Sequence, residues 1–291
     1  MNPEADNQCS IVRTVSGADT ELFTEATGHG PILLMVHGWT LNHHSFDFQI
    51  AKLAERFTVV TMDRRGCGLS SGSPALSREL DDLDLVIDSY GGGPVHLLGV
   101  SQGGRVALRY AATRSEKVRS LILQGAMLDG FEVSDAPGEA VPLDRYRELI
   151  RTGNLAAMRH EWLQHPLING GVEGSSLRSL LRSILDDYSG EDLIAPVDTY
   201  SAVDLQSSLA NLAIPTLIIT GSLEIESRKQ HANRLLQLLP EAAEVILEGA
   251  GHLSNLTHPA RYNELVLGFC GAIENRQSTD AADSAINSTV P

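Results

Sequence analysis

A serine between two glycines, Gly99-Val100-Ser101-Gln102-Gly103, is the stretch of this sequence best fitted to do chemistry. A serine hydroxyl is a poor nucleophile near neutral pH. It becomes a good one when an imidazole stands within hydrogen-bond reach and an acid orients that imidazole. A Gly-x-Ser-x-Gly pentapeptide arises by chance in about one chain in ten of this length, so its surroundings must decide. Before it, Gly91-Gly92-Gly93-Pro94 breaks the chain and His96-Leu97-Leu98 begins an apolar run that reads as a buried strand. After it, Val106, Ala107, Tyr110 and Ala111 recur at the spacing of a core-facing helix. A serine squeezed between strand and helix occupies a sharp, strained turn. Glycines two before and two after remove the Cβ atoms that would clash there. The turn pushes the Ser101 hydroxyl out at the carboxyl end of the strand, beside a helix N-terminus.

The chain has ten histidines from which to draw a base. His252 stands out, because it follows the last predicted strand in the glycine-lined loop Gly249-Ala250-Gly251-His252, at the same sheet edge as Ser101. His37 and His96 lie in or beside strands and are expected to satisfy local hydrogen bonds. His43, His44, His160 and His165 lack the spacing of metal ligands, and His258 belongs to a helix start. For the acid the preferred residue is Glu224, three residues past Gly221 and after the strand that precedes the His252 strand. Asp129, after the strand following Ser101, and Glu226 are the alternatives.

The elements that must carry these groups alternate. Strands are expected over Ile11–Ser16 and Glu21–Thr27, a hairpin, then Pro31–Val36, Thr58–Met62, the His96 run, Lys117–Leu123, Ile214–Gly221 and Ala243–Leu247. Helices are expected over Ser45–Arg56, over Ser77–Ser89 with Ser77 as cap, after Ser101, over Arg228–Leu239, and from Thr257-His258-Pro259 to about Ile273. Alternation of this kind means an α/β fold: a mostly parallel twisted sheet with helices on both faces, whose sites form at the carboxyl ends of the strands. The residues there are Gly38-Trp39, Asp63-Arg64-Arg65, Ser101-Gln102 and Gln124 to Asp129.

From Gly130 to Leu212 the strands stop. Helical patterns over Leu143–Arg151, Leu155–Leu163, Leu177–Asp186 and Val197–Leu209 read as an inserted cap over the strand ends. The expected organisation is a core of 11–129 and 213–274, a helical cap of 130–212, and loose termini at 1–10 and 275–291.

Composition narrows the partners. A formal net charge of −15 argues against nucleic acid and anionic membranes. Over 130–212, six arginines face thirteen acidic residues, which argues against a polyanionic substrate. Three scattered cysteines, Cys9, Cys67 and Cys270, with no basic or apolar leader and no run near the roughly 20 residues that span a bilayer, lead to the expectation of a soluble, cytoplasmic protein. No metal or cofactor is expected: His-x-x-x-His, a phosphate loop and a dinucleotide fingerprint after a strand are all missing.

Over 30–130 and 213–274 the chain resembles the α/β-hydrolase superfamily. The resemblance rests on His37-Gly38-Trp39, on Asp63-x-Arg65-Gly66-x-Gly68-x-Ser70, on the Gly99–Gly104 elbow and on Gly249-Ala250-Gly251-His252. The order Ser101, Glu224, His252 is the nucleophile–acid–base order of that family, although the family commonly has Asp at the position of Glu224. The resemblance implies an oxyanion hole made by the backbone N–H groups of Gln102 and Trp39. Gln102 also opens a helix, whose dipole favours developing negative charge. Asp63 and Arg65 are expected to brace the turn beside the site. The serine sets the chain apart from the epoxide hydrolase and dehalogenase branches, which use Asp as nucleophile.

The expected activity is hydrolysis of a small-molecule carboxylic ester or lactone through an acyl-enzyme. Carbon–carbon bond hydrolases and cofactor-free haloperoxidases or perhydrolases share the same triad and form the first alternative. A hydrolase-fold binding protein without turnover is the second.

Overall fold

The computed structural model describes residues 10–195 and 205–287. Their strands form one sheet in the order β1-β2-β4-β3-β5-β6-β7-β8. The strands are β1 (Ile11–Ser16), β2 (Glu21–Thr27), β3 (Ile32–Val36), β4 (Thr58–Met62), β5 (Val95–Val100), β6 (Val118–Gln124), β7 (Thr216–Gly221) and β8 (Ala242–Leu247). β1 and β2 pair antiparallel, as does β2 with β4; every later pairing is parallel. The eight strand positions follow the expected apolar runs to within two residues at each end.

The central strands are buried on both faces, and their residues divide by parity. Leu34 and Val36 of β3, Leu97 of β5, and Leu121 and Leu123 of β6 pack into one cluster with α2 (Glu79–Ser89), α3 (Gln102–Thr113) and α10 (Glu226–Leu238). Leu33, Met35, Leu98, Val100 and Ile122 pack on the other face with α1 (Asp47–Leu53) and α12 (Pro259–Asn287). This two-sided burial is why these strands read as continuous apolar runs rather than alternating ones.

Between β6 and β7 lie α4 (Leu143–Arg151), α5 (Leu155–Trp162), α6 (Pro166–Asn169), α7 (Ser175–Asp186), α8 (Glu191–Ile194) and α9 (Leu205–Leu209). Most of this insert shares a third apolar cluster, centred on Tyr146, Met158, Trp162, Leu181 and Leu185. That cluster also takes in Leu41, Ile225 and Leu253 from loops at the strand ends, and Leu256 of the short α11 (Ser254–Thr257). Three hydrogen bonds tie the loop after β3 to the insert: Trp39 Nε1 to Asp192 Oδ2 at 2.6 Å, Trp162 Nε1 to Thr40 Oγ1 at 2.8 Å, and Asn42 Nδ2 to Asp187 Oδ2 at 3.1 Å.

Four expectations need amendment. Ser77 does not cap α2; the helix begins at Glu79, and Arg78 at the cap position makes no side-chain cap bond. The expected helix Ser45–Arg56 is a short 3-10 turn, His43–Phe46, followed by α1, because Asn42 caps the chain three residues earlier than the apolar pattern starts. The last helix does not loosen at 275; it continues to Asn287, since no proline or glycine interrupts 274–287. Of the expected helix Val197–Leu209 only Leu205–Leu209 is seen, the rest lying outside the described residues, as do nearly all of the leader 1–10 and positions 288–291. No helix among the described residues is long and apolar enough to cross a membrane.

Candidate active site

The sheet reverses its winding direction between β3 and β5, because β4 lies on one side of β3 and β5 on the other. Loops leaving neighbouring strands in opposite directions open a crevice at their carboxyl ends. Gly38-Trp39 after β3 and Ser101-Gln102 after β5 lie at that crevice. A cavity of about 670 Å³ opens there, and Gly38, Trp39, Ser101, Gln102 and His252 line it.

Ser101 adopts φ +54° and ψ −114°, a conformation that L-residues avoid at a cost of about 1–3 kcal/mol. Close packing holds it there. A Cβ on Gly99 would come within 2.5 Å of the Gly103 carbonyl oxygen, and one on Gly103 within 2.2 Å of that of Val36. Glycine at both positions is therefore required by approach distance, and the helix can start directly on top of the strand ends. The Gln102 backbone N–H is the first of α3 and one of those with no intrahelical acceptor. The Gln102 side chain accepts from Arg64 Nη1 at 2.7 Å, and Arg64 makes a buried bidentate pair with Glu79.

His252 and Glu224 meet. His252 Nδ1 lies 2.6 Å from Glu224 Oε2, and both residues are only 4% exposed. The second carboxylate oxygen, Oε1, accepts the Ile225 backbone N–H at 2.9 Å. Gly125, at φ +56°, forms the floor of this pair: a Cβ there would stand 2.4 Å from His252 Cε1, 2.6 Å from Nδ1 and 3.2 Å from Glu224 Oε2. His252 Nε2 is buried and has no hydrogen-bond partner among the described residues. Ser101 and His252 thus share a cavity wall without a hydrogen bond between them.

One residue couples the two. Gln124, at the end of β6, accepts the Ser101 N–H on its backbone carbonyl at 2.7 Å. Its side-chain Nε2 donates to the His252 carbonyl at 2.8 Å and to Asn255 Oδ1 at 3.0 Å. Asn255 in turn donates to the Ser45 carbonyl at 2.8 Å, and Gln49 Nε2 donates to the Asn255 carbonyl, also at 2.8 Å. This fully buried polar chain anchors the His252 loop to the β6 and α1 ends. A glutamine closing the apolar run Leu121-Ile122-Leu123 was its signal in the sequence.

Neither alternative acid is hydrogen-bonded to His252. Asp129 is gripped by Arg105 and Arg109, one turn apart on α3. Glu226 is exposed and opens α10, where its backbone N–H donates to Glu139 Oε2 at 3.0 Å. Asp63 accepts from the backbone and ring of His43 and from the Leu69 N–H. Burial opposes charge on His43, yet the hydrogen bond and charge of Asp63 hold it above its ordinary pKa. Arg65 pairs with Asp82 at 2.6 Å. His37 donates from Nδ1 to the Gly38 carbonyl and accepts the Arg64 N–H on Nε2; burial, reinforced by the Arg64 charge, pushes its pKa down to about 4. His96 bonds Ser120 Oγ at 2.7 Å and Glu274 at 3.2 Å. Among the described residues no three His, Cys, Asp or Glu side chains gather as a metal site.

Known proteins resemble most of this chain. A pimeloyl–acyl-carrier-protein methyl ester esterase of Nitrosomonas europaea is 29% identical over 244 residues, 82% of this chain and 95% of that protein. A protein named as a carbamate hydrolase, RutD, of Azorhizobium caulinodans is 26% identical over 278 residues, 89% of this chain and 98% of that protein. In three dimensions, a thermophilic esterase of Thermogutta terrifontis superposes with a TM-score of 0.76 at 24% identity, covering 91% of this chain and 99% of that one. The model of the alpha/beta hydrolase family matches residues 33–265, from the first buried strand to the helix behind the His252 loop, and the chain belongs to that family.

Proposed function

We propose that this protein is a serine hydrolase that cleaves a small carboxylic ester or lactone through an acyl-enzyme. The observation that carries the reading is the buried His252–Glu224 pair, with a bare Nε2 on the same cavity wall as a strained, helix-capping serine. Both relatives above are named as hydrolases, one of them for a methyl ester, which supports ester cleavage.

In this mechanism Ser101 Oγ attacks the substrate carbonyl and His252 Nε2 takes its proton. Rotation of the hydroxyl on substrate binding closes the serine–histidine hydrogen bond, which is commonly long in the free enzyme. Glu224 holds the Nδ1–H tautomer and balances the imidazolium. The backbone N–H groups of Gln102 and Trp39 receive the oxyanion; losing one such donor costs about 3–4 kcal/mol in a transition state. His252 returns the proton to the leaving alcohol, and water then cleaves the acyl-Ser101 ester by the same steps in reverse. The insert acts as a cap: Trp162, Leu167, Ile168 and Leu193 give the cavity an apolar roof that excludes water.

The test is labelling with a fluorophosphonate and turnover of p-nitrophenyl acyl esters and lactones. Ser101→Ala is expected to abolish both. Retained turnover in that variant would falsify the mechanism. An intact wild-type chain that never labels would favour a binding protein, and exclusive activity on β-diketones or in peracid formation would move it to the other branches of the fold.

A further inference from the structure

Arginines 105 and 228 both line the cavity. Arg105 is paired with Asp129, a carboxylate it shares with Arg109. The Arg228 side chain makes no hydrogen bond or ion pair with any described residue, and its Nε is buried without a partner. Two terms oppose a charge in that place. The side chain is partly withdrawn from water, and it sits in the first turn of α10, where the helix dipole disfavours cations. Neither term is offset by a contact. The carboxylates whose charge reaches it are Glu224 and Asp135. Glu224 is committed to His252 and the Ile225 N–H, while Asp135 is exposed at the cavity mouth.

His231 lies three residues further along α10, on the same face, and also lines the cavity. Its Nδ1 accepts the Leu128 backbone N–H at 3.2 Å, so the ring proton is on Nε2. No described residue accepts that proton. Burial, and then the Arg228 charge, push the pKa of His231 down to about 4, so it serves as a neutral donor rather than a second cation. The wall therefore presents a guanidinium group beside an imidazole N–H, with no described residue to receive either.

The geometry points to a carboxylate-binding subsite: Arg228 and His231 hold a single carboxylate carried by the substrate at the end remote from the scissile ester. The preferred substrates are then half-esters of dicarboxylic acids, or lactones bearing a free carboxylate. A planar two-oxygen anion matches the fork of arginine. The acidic Glu132 and Asp135 on the same wall, and the surplus of acids across the insert, disfavour more highly charged ligands. This inference rests on the serine-hydrolase reading for its scissile bond, but not for its anion site.

Two measurements test it. In turnover, monomethyl esters of four- to eight-carbon dicarboxylic acids are compared with methyl esters of monocarboxylic acids of equal length. The best half-ester is expected to exceed its neutral counterpart about tenfold in kcat/KM. Arg228→Gln should lower it by about 30-fold, while neutral esters change less than about threefold and Arg228→Lys retains part of the preference. In binding, monomethyl adipate and dimethyl adipate are titrated into the Ser101→Ala protein. Trp39 and Trp162 are the only tryptophans of the chain and both line the cavity, so intrinsic fluorescence reports occupancy. Tighter binding of the half-ester, lost on adding Arg228→Gln, supports the subsite. Equal losses for charged and neutral esters, or no wild-type preference for the half-ester, overturn it even if Ser101 labels. Should Ser101 fail to label while Arg228-dependent binding persists, the catalytic reading falls and the anion site stands.

Discussion

Replacing Glu224 by Gln keeps the shape of the site and changes which atoms can face His252. The carboxylate now has Oε2 on Nδ1 and Oε1 on the Ile225 N–H. An amide has one oxygen and one NH2. If the oxygen stays on Ile225, the NH2 meets Nδ1 and can only donate, which forces the proton onto Nε2 and removes the base. If the amide flips, NH2 faces the Ile225 N–H and a buried donor is orphaned. The first arrangement breaks catalysis and the second costs about 1–3 kcal/mol of stability, while both lose the charge that stabilises an imidazolium. The expected fall in kcat is about a thousandfold or more, equivalent to about 4 kcal/mol or above at 1.36 kcal/mol per decade. The assay is stopped-flow acylation with a p-nitrophenyl ester alongside the fluorophosphonate labelling rate, run in parallel on Asp129→Asn. That second variant removes the carboxylate that Arg105 and Arg109 share, so it should lose stability yet keep kcat within about fivefold. Acylation by Glu224→Gln within tenfold of wild type, with the larger loss in Asp129→Asn, would refute the assignment of the acid.

Other outcomes follow from the same geometry. Gly125→Ala places a methyl 2.4 Å from His252 Cε1, more than 1 Å inside ordinary contact; the ring must shift, and kcat should drop about a hundredfold while the fold survives by circular dichroism. Gln124→Met leaves the His252 carbonyl and Asn255 Oδ1 without their donor, so unfolding in urea should show about 2–4 kcal/mol of lost stability together with a lowered kcat. His37 has a folded pKa near 4, below its unfolded value of 6.5, so the unfolded chain binds the extra proton first. Its contribution to stability is intact above about pH 6.5 and is lost as pH falls toward 4, by about 3 kcal/mol in all. The difference between wild type and His37→Gln in urea melts at pH 7 and pH 4.5 isolates it; a difference that does not change with pH would contradict the burial argument.

Some of this was legible before any coordinates, and the reason differs from residue to residue. β3, β5, β6 and β7 are short apolar runs closed by glycine or polar residues, a local signal, and the positions just after them are where a parallel sheet gathers its chemistry. Ser101 and its two glycines are likewise local, since the clash they avoid lies within five residues. The choice among Glu224, Asp129 and Glu226 was not local. Asp129 sits just as well after a strand, and what removes it is the α3 face that Arg105 and Arg109 share. Their spacing is visible in the sequence, but the direction of that face is not. That the Arg228 side chain has no partner among the described residues is less legible still, because it is a property of the packed molecule. The 275–287 stretch looked too polar to hold a shape, whereas the absence of any helix breaker was the better guide.

The amide of Trp39 and the indole of Trp39 belong to one residue, yet they answer to different halves of the molecule. The indole is leashed to Asp192 and, with Thr40 and Asn42, moors the exit of β3 to the insert at three points. A guest bulky enough to lift the roof would tug on the same short loop that carries the amide proposed to receive the oxyanion. Under that proposal access and reactivity are geared together, and grafting a foreign roof onto this core without its three moorings would slacken that loop along with the entrance.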